Sequence, residues 1–160
     1  VRRRQWWRRV VTIGVAANII LVTGLGALAL WPGSSIAAEF RAWPAFAAQV
    51  RQAVEATPQS PGRFILVLNY QTAAQIEYHL RGVLVATPLG LDAYEIWVRE
   101  QDLLGRNAIY LTADEAIRPV SLERMCRRAE VLPPIALAAG GQTFKTFAAY
   151  RCLGYRGFPR

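Results

Sequence analysis

The sequence predicts an α/β fold: one N-terminal transmembrane helix, then a small three-layer-like α/β domain with a mixed sheet of about five strands. Three observations lead there. Val10 to Trp31 contains no charged residue and follows directly on RRRQWWRR. The apolar run Phe64 to Asn69 is followed by a helical pattern and then by a second apolar run, Val83 to Thr87. The chain closes with two apolar stretches joined by Gly140-Gly141.

Residues 1–9 read as a basic cytoplasmic arm. Arg2, Arg3, Arg4, Arg8 and Arg9 precede the apolar run, with Trp6 and Trp7 among them. Basic residues stay cytoplasmic and Trp favours the headgroup level, so the arm predicts an extracytoplasmic domain. It also accounts for most of the charge. Subtracting these five arginines from the net +8 leaves +3. Charge alone therefore gives no polyanion-binding domain, and no nucleic-acid partner is expected.

Residues 10–31 form the transmembrane helix. At about 1.5 Å per residue the run spans roughly 33 Å, against a hydrocarbon core of about 30 Å. Its exceptions to apolarity are Thr12, Gly14, Asn18, Thr23, Gly24 and Gly26. Asn18 is the costly one, because an unpaired amide is unfavourable in hydrocarbon. It either faces other helices together with the small residues or is tolerated in an otherwise apolar span. No Gly-x-x-x-Gly pair supports a dimer motif. A cleaved signal peptide, with Ser35-Ile36-Ala37 as its cleavage site, is the rival reading. The run is longer than the usual apolar region of such a peptide. The start at Val1 rather than Met predicts a piece of a longer chain or a trimmed form.

Residues 32–62 form a linker and an amphipathic helix. Trp31-Pro32-Gly33-Ser34-Ser35 stops the membrane helix. The next helix is predicted from Pro44 to Ala56, since Pro suits a first helical turn. Phe46, Val50, Ala53 and Val54 make its apolar face. That face either lies on the membrane surface or packs against the domain; packing is expected, because the polar face (Gln49, Arg51, Gln52, Glu55) is not strongly basic.

Residues 63–160 form the domain. Phe64 to Asn69 reads as a strand buried on both faces. A helix from Gln71 to Leu80 follows, stopped by Gly82. The strand Val83 to Thr87 completes a βαβ unit. Asp92 to Val98 is a short helix or ordered loop with Tyr94 and Trp97, and Leu103-Leu104-Gly105 is a helix end. Ala108 to Thr112 is a third strand, Pro119 to Glu130 a helix, and Val131 to Ala138 a fourth strand. Pro133-Pro134 make that strand an edge, or make it begin after them. Gly140-Gly141 turn into a fifth strand, Thr143 to Leu153.

Cys126 and Cys152 are the only cysteines. They can pair in an oxidising compartment or remain as two buried thiols. His79, the only histidine, reads as a surface or half-buried residue near a helix end. No Cys/His spacing fits a metal site, and neither a phosphate-binding Gly-x-Gly-x-x-Gly nor a Gly-x-Ser-x-Gly nucleophile turn occurs. Asp92 with Glu95, and Asp114-Glu115, read as helix caps. Tyr70 and Gln71 fall at the carboxyl end of the first strand, where open α/β sheets bind ligands. With Tyr94 and Trp97 they are candidates for a sugar or polyprenyl-phosphate surface, or else pack between elements.

The order of FILVLNYQTAAQIEYHL, DAYEIW, LLGRNAIYLT and TFKTFAAYRCLGYRG behind a membrane helix resembles the C-terminal end of bacterial family 39 membrane glycosyltransferases. This group includes the protein mannosyltransferase-like and aminoarabinose transferase-like enzymes. The resembling positions are Tyr70, Gln71, Tyr78, Tyr94 and Trp97, then Tyr150-Arg151 and Gly154-Tyr155-Arg156-Gly157. Tyr78-His79 stands where the family often has an aromatic pair, and Asp92-Ala93 where it often has Asn-Gln. The resemblance implies a polytopic enzyme of the inner membrane. It would transfer a sugar from a polyprenyl-phosphate donor to an extracytoplasmic acceptor, inverting the anomeric centre. Implied partners are membrane lipid, the remaining transmembrane helices of the same enzyme, and the polyprenyl-phosphate sugar. No cofactor is expected in this chain, and a divalent metal would belong to a full-length enzyme. The family's acidic catalytic residues lie in an early loop absent here, so no catalytic residue is carried over and the chain is expected to be inactive alone. The contrasting reading is a stand-alone single-pass membrane protein with a partner-binding α/β domain. A freestanding small enzyme is the weakest reading, since the sequence displays no site for one.

Overall fold

The computed structural model describes residues 2–31, 34–87, 98–113 and 122–158. The chain divides into two compact units, Val1–Phe40 and Arg41–Arg160.

In the first unit, α1 spans Arg2–Leu30. Its stretch Val10–Ala27 is long and apolar enough to cross a membrane, and none of it is buried. A Cβ at Gly14, Gly24 or Gly26 would meet nothing within 4 Å. Asn18 is likewise exposed. α2 (Ser35–Glu55) begins in this unit and continues into the second. It starts nine residues before the predicted Pro44, because Ser34 supplies the cap. The Ser34 Oγ accepts the Ala37 amide at 3.1 Å, satisfying one of the donors that a helix start leaves open. Pro44 thus sits inside the helix, where it lacks the N–H that would bond the Phe40 carbonyl. Position 44 is exposed, so that carbonyl keeps access to water.

The second unit is an α/β domain. Its strands are β1 (Arg63–Val67), β2 (Val85–Ala86), β3 (Asn107–Thr112), β4 (Cys126–Ala139) and β5 (Gln142–Tyr155). Among the described residues they form one mixed sheet in the order β2-β1-β3-β5-β4. β1 pairs in parallel with both β2 and β3, with Ile65 opposite Val85 and Ile109. β5 runs antiparallel to β3 and to β4. Helix α3 (Tyr70–His79) links β1 to β2, as the βαβ pattern predicted.

Alternation along the strands sends side chains to two faces. Ile65, Val67, Ile109, Leu111, Phe147 and Ala149 face α2 and α3, meeting Trp43, Phe46, Val50, Val54, Ala73, Ile76 and Leu80. Helix α2 therefore packs on the domain through the predicted residues. Phe64, Leu66, Ala108, Tyr110 and Cys152 face the opposite side, with Leu103, Met125 and Tyr155. A 3-10 turn (Glu100–Leu103) and the short helix α4 (Leu122–Met125) lie on that side.

Two differences from the sequence reading concern the second half. The helix predicted to reach Glu130 ends at Met125, and residues from Cys126 onward are strand. The ladder to β5 takes them, with Cys126 opposite Tyr155, Ala129 opposite Cys152 and Glu130 opposite Arg151. The predicted β4 runs on through Pro133-Pro134, as an edge strand with its register shifted between Leu132 and Ile135. Edge position and irregular pairing are what strand prolines require. The Gly140-Gly141 turn is present, both residues at positive φ (58° and 79°), the combination a two-residue hairpin turn favours.

Candidate functional site

Helix α3 starts where β1 ends, and Asn69 builds the junction. Its Oδ1 accepts the amides of Gln71 (2.8 Å) and Thr72 (3.2 Å). That capping occupies donors that would otherwise be free for an anion. Tyr70 and Gln71 stand exposed at this carboxyl edge of the parallel strands. The Gln71 Nε2 donates to the Tyr70 hydroxyl at 3.3 Å, so the two predicted site residues act as one polar and aromatic unit. Tyr78 is exposed near the end of the same helix, with His79 edge-on to its ring at 4.9 Å. His79 is half-buried at the helix end, as the sequence suggested. Tyr94 and Trp97, and the acidic pairs Asp92/Glu95 and Asp114-Glu115, lie outside the described residues.

At the opposite, amino edge of the parallel strands lies a cleft of about 330 Å³, lined by Glu100, Gln101, Leu104, Arg124, Arg156 and Phe158. Backbone bonds tie the end of β5 to the segment before β3 beside it. Gly105 N donates to Tyr155 O at 2.7 Å, and Tyr155 N donates to Arg106 O at 2.8 Å. The Glu100 Oε1 accepts the Tyr155 hydroxyl at 3.2 Å and the Phe158 amide at 2.7 Å. Burial, and secondarily the Glu100 charge and hydrogen bond, push the Tyr155 phenol well above its ordinary value. Tyr110, ring-stacked on Tyr150 at 5.9 Å, is also raised, chiefly by burial. Both phenols thus stay neutral and serve as hydrogen-bonding core groups. Arg124 and Arg156 are exposed and make no ion pair among the described residues. Among the described residues the cleft thus brings two guanidinium groups near one carboxylate, whose Oε1 is taken by Tyr155 and Phe158.

The sequence reading did not single out the polar framework that holds these edges. Asn107 Nδ2 donates to the Pro58 and Ser60 carbonyls (3.0 and 3.2 Å), and its Oδ1 accepts the Gly154 amide (3.1 Å). Arg63 Nη1 donates to the Val54 and Thr57 carbonyls (3.1 and 3.3 Å), closing the C-terminus of α2. Arg151 pairs with Glu130 at 2.8 Å, and its Nε donates to the Thr57 hydroxyl at 3.3 Å. No local motif announces any of these, since each partner is remote or lies in a turn. Cys126 and Cys152 are disulfide-bonded, with Cα atoms 5.4 Å apart. This decides the question that spacing left open. Among the described residues, no three His, Cys, Asp or Glu side chains come together as a metal site.

The class these features define is a disulfide-bonded α/β domain following a helix of membrane-spanning length. Comparison with protein families, curated proteins and solved structures yields no match.

Proposed function

We propose that the chain is the C-terminal portion of an integral-membrane glycosyltransferase, in which the α/β domain supports or caps the catalytic membrane half. The full enzyme would move a sugar from a polyprenyl-phosphate donor to an extracytoplasmic acceptor. The observation that carries this reading is where the family-like segments fall. FILVLNYQTAAQIEYHL builds β1 and α3, LLGRNAIYLT builds β3, and TFKTFAAYRCLGYRG builds β5. The three strands are contiguous in the sheet, so the matching residues make one structural unit. Tyr70 and Gln71 then offer an exposed surface to lipid-linked sugar or to the rest of the enzyme, with Tyr94 and Trp97 assigned there by resemblance alone. A domain outside the cytoplasm of a bacterial inner membrane agrees with the arginine-rich arm before the span and with the disulfide.

The test is the reading frame immediately upstream of Val1. Continuation into many apolar spans with an acidic early loop is the expected result. A start codon beside Val1, with no adjacent multi-span gene, overturns the proposal. It would favour the second reading, a single-pass protein whose domain binds a partner. The two-faced core and the disulfide of Arg41–Arg160 favour that reading, because they let the domain hold together by itself.

A further inference from the structure

Along α2, Ile36, Phe40, Trp43, Ala47, Val50 and Val54 recur at alternating spacings of four and three. That spacing draws one continuous apolar stripe on a helix. From Trp43 onward the stripe is buried in the domain core. Its first two members are bare: Ile36 is 55% and Phe40 59% exposed. Trp31, just beyond the apolar run of α1, is 68% exposed. Single exposed apolar residues are ordinary, but an extension of a core stripe that ends uncovered asks for an occupant.

We infer that Trp31, Ile36 and Phe40 form an interfacial anchor. The first turns of α2 would lie in the headgroup and upper acyl region of the leaflet that α1 leaves. The argument is continuity with the span. The three helical residues of α1 beyond Ala27 add about 4.5 Å, which brings Trp31 to the interfacial layer, the level Trp favours. Ser34 N donates to the Trp31 carbonyl at 2.9 Å, so the residue that caps α2 lies within one hydrogen bond of Trp31. An amphipathic segment at that depth buries its apolar side chains in lipid and leaves polar neighbours such as Ser35 and Glu39 in water.

The inference rests on α1 being membrane-inserted, so the experiment reads both. Single cysteines are introduced by Phe40→Cys, Ile36→Cys, Leu21→Cys and Gln49→Cys, the native pair being oxidised. Each full chain is labelled with the environment-sensitive fluorophore NBD and reconstituted in phosphatidylcholine vesicles, with or without lipids carrying a doxyl quencher near the headgroup. Label at positions 36 and 40 is expected to emit at shorter wavelength than at position 49. It should also be quenched several-fold more strongly by the shallow doxyl lipid. Label at position 21 is expected to respond to a deep doxyl lipid. Position 21 buried with positions 36 and 40 behaving like position 49 overturns the anchor and leaves the span intact. Position 21 without deep quenching overturns the span itself, and the anchor with it.

Discussion

The hydroxyl of Tyr155 donates to Oε1 of Glu100 at 3.2 Å, joining the last residue of β5 to the turn before β3. The ring is buried against Phe64, so the proton on this phenol is part of the core. The ordinary phenol value is 10, and the folded value is higher. A group whose folded pKa is raised contributes stability below its unfolded pKa and loses it as pH rises toward the folded one. Thermal stability is therefore expected to hold up to about pH 10 and to fall above it. Tyr110, shifted in the same direction, adds to the slope. Tyr155→Phe should flatten the slope in part, and Tyr110→Phe combined with it further. Melting curves from pH 8 to 11 in detergent check this. An unchanged slope in the double variant would exclude the two phenols as its source.

Asn107 is buried and uses both ends of its amide. Truncation by Asn107→Ala leaves two carbonyls and the Gly154 amide without their partner. A loss of about 2 kcal/mol is expected, within the range for orphaned buried groups. Asn107→Asp keeps the acceptor but aims a carboxylate at the Pro58 and Ser60 carbonyls, and should be worse at neutral pH. Urea unfolding of the two variants gives the comparison, and equal midpoints for wild type and Asn107→Ala would contradict it.

The disulfide closes a loop with a sequence separation of 26. Chain entropy for a loop of that size corresponds to about 3.5 kcal/mol. The double variant Cys126→Ser/Cys152→Ser should therefore lose stability on that order while keeping its secondary structure. Denaturant titration with and without reductant measures it. Free thiols on the oxidised wild type would rule the bridge out.

Phe46 is fully buried between Trp43 (edge-on, 5.4 Å) and Phe147 (4.8 Å). Its ring contact with Phe147 ties α2 to β5. Phe46→Ala should cost about 3–5 kcal/mol, the usual figure for an emptied aromatic site. Exposed Gln49→Ala on the same helix should change little. Near-UV circular dichroism, sensitive to the Trp43 environment, reports whether α2 comes away from the sheet.

The elements visible in the sequence were those with one strong local pattern. The apolar runs gave β1 and β3, the glycine pair gave the hairpin, and the Pro133-Pro134 doublet marked an edge. Residues 126–130 were misread because Leu122, Met125, Cys126 and Ala129 fit helical spacing, which holds only as far as Met125. Only the partner strand, 26 residues away at the cysteine pair, decides otherwise. The start of α2 was missed because Pro44 resembles a first-turn proline, whereas Ser34 caps the helix ten residues earlier. Of the proposed surface, Tyr70 and Gln71 were legible from their place after a strand. The Glu100–Tyr155 contact was not, because it joins residues 55 positions apart.

The proline pair in β4 has a consequence for how the protein behaves in a crowd. An outer strand normally offers a row of amide donors to which a foreign chain can add itself. Here that row is interrupted at the proline pair, where the pairing with β5 also shifts register, and the exposed Arg127 stands on the same strand. A second molecule approaching this side meets a gap in the donors and an irregular strand. On this side the sheet ends at β4, and the strand there resists the addition of a strand from another chain.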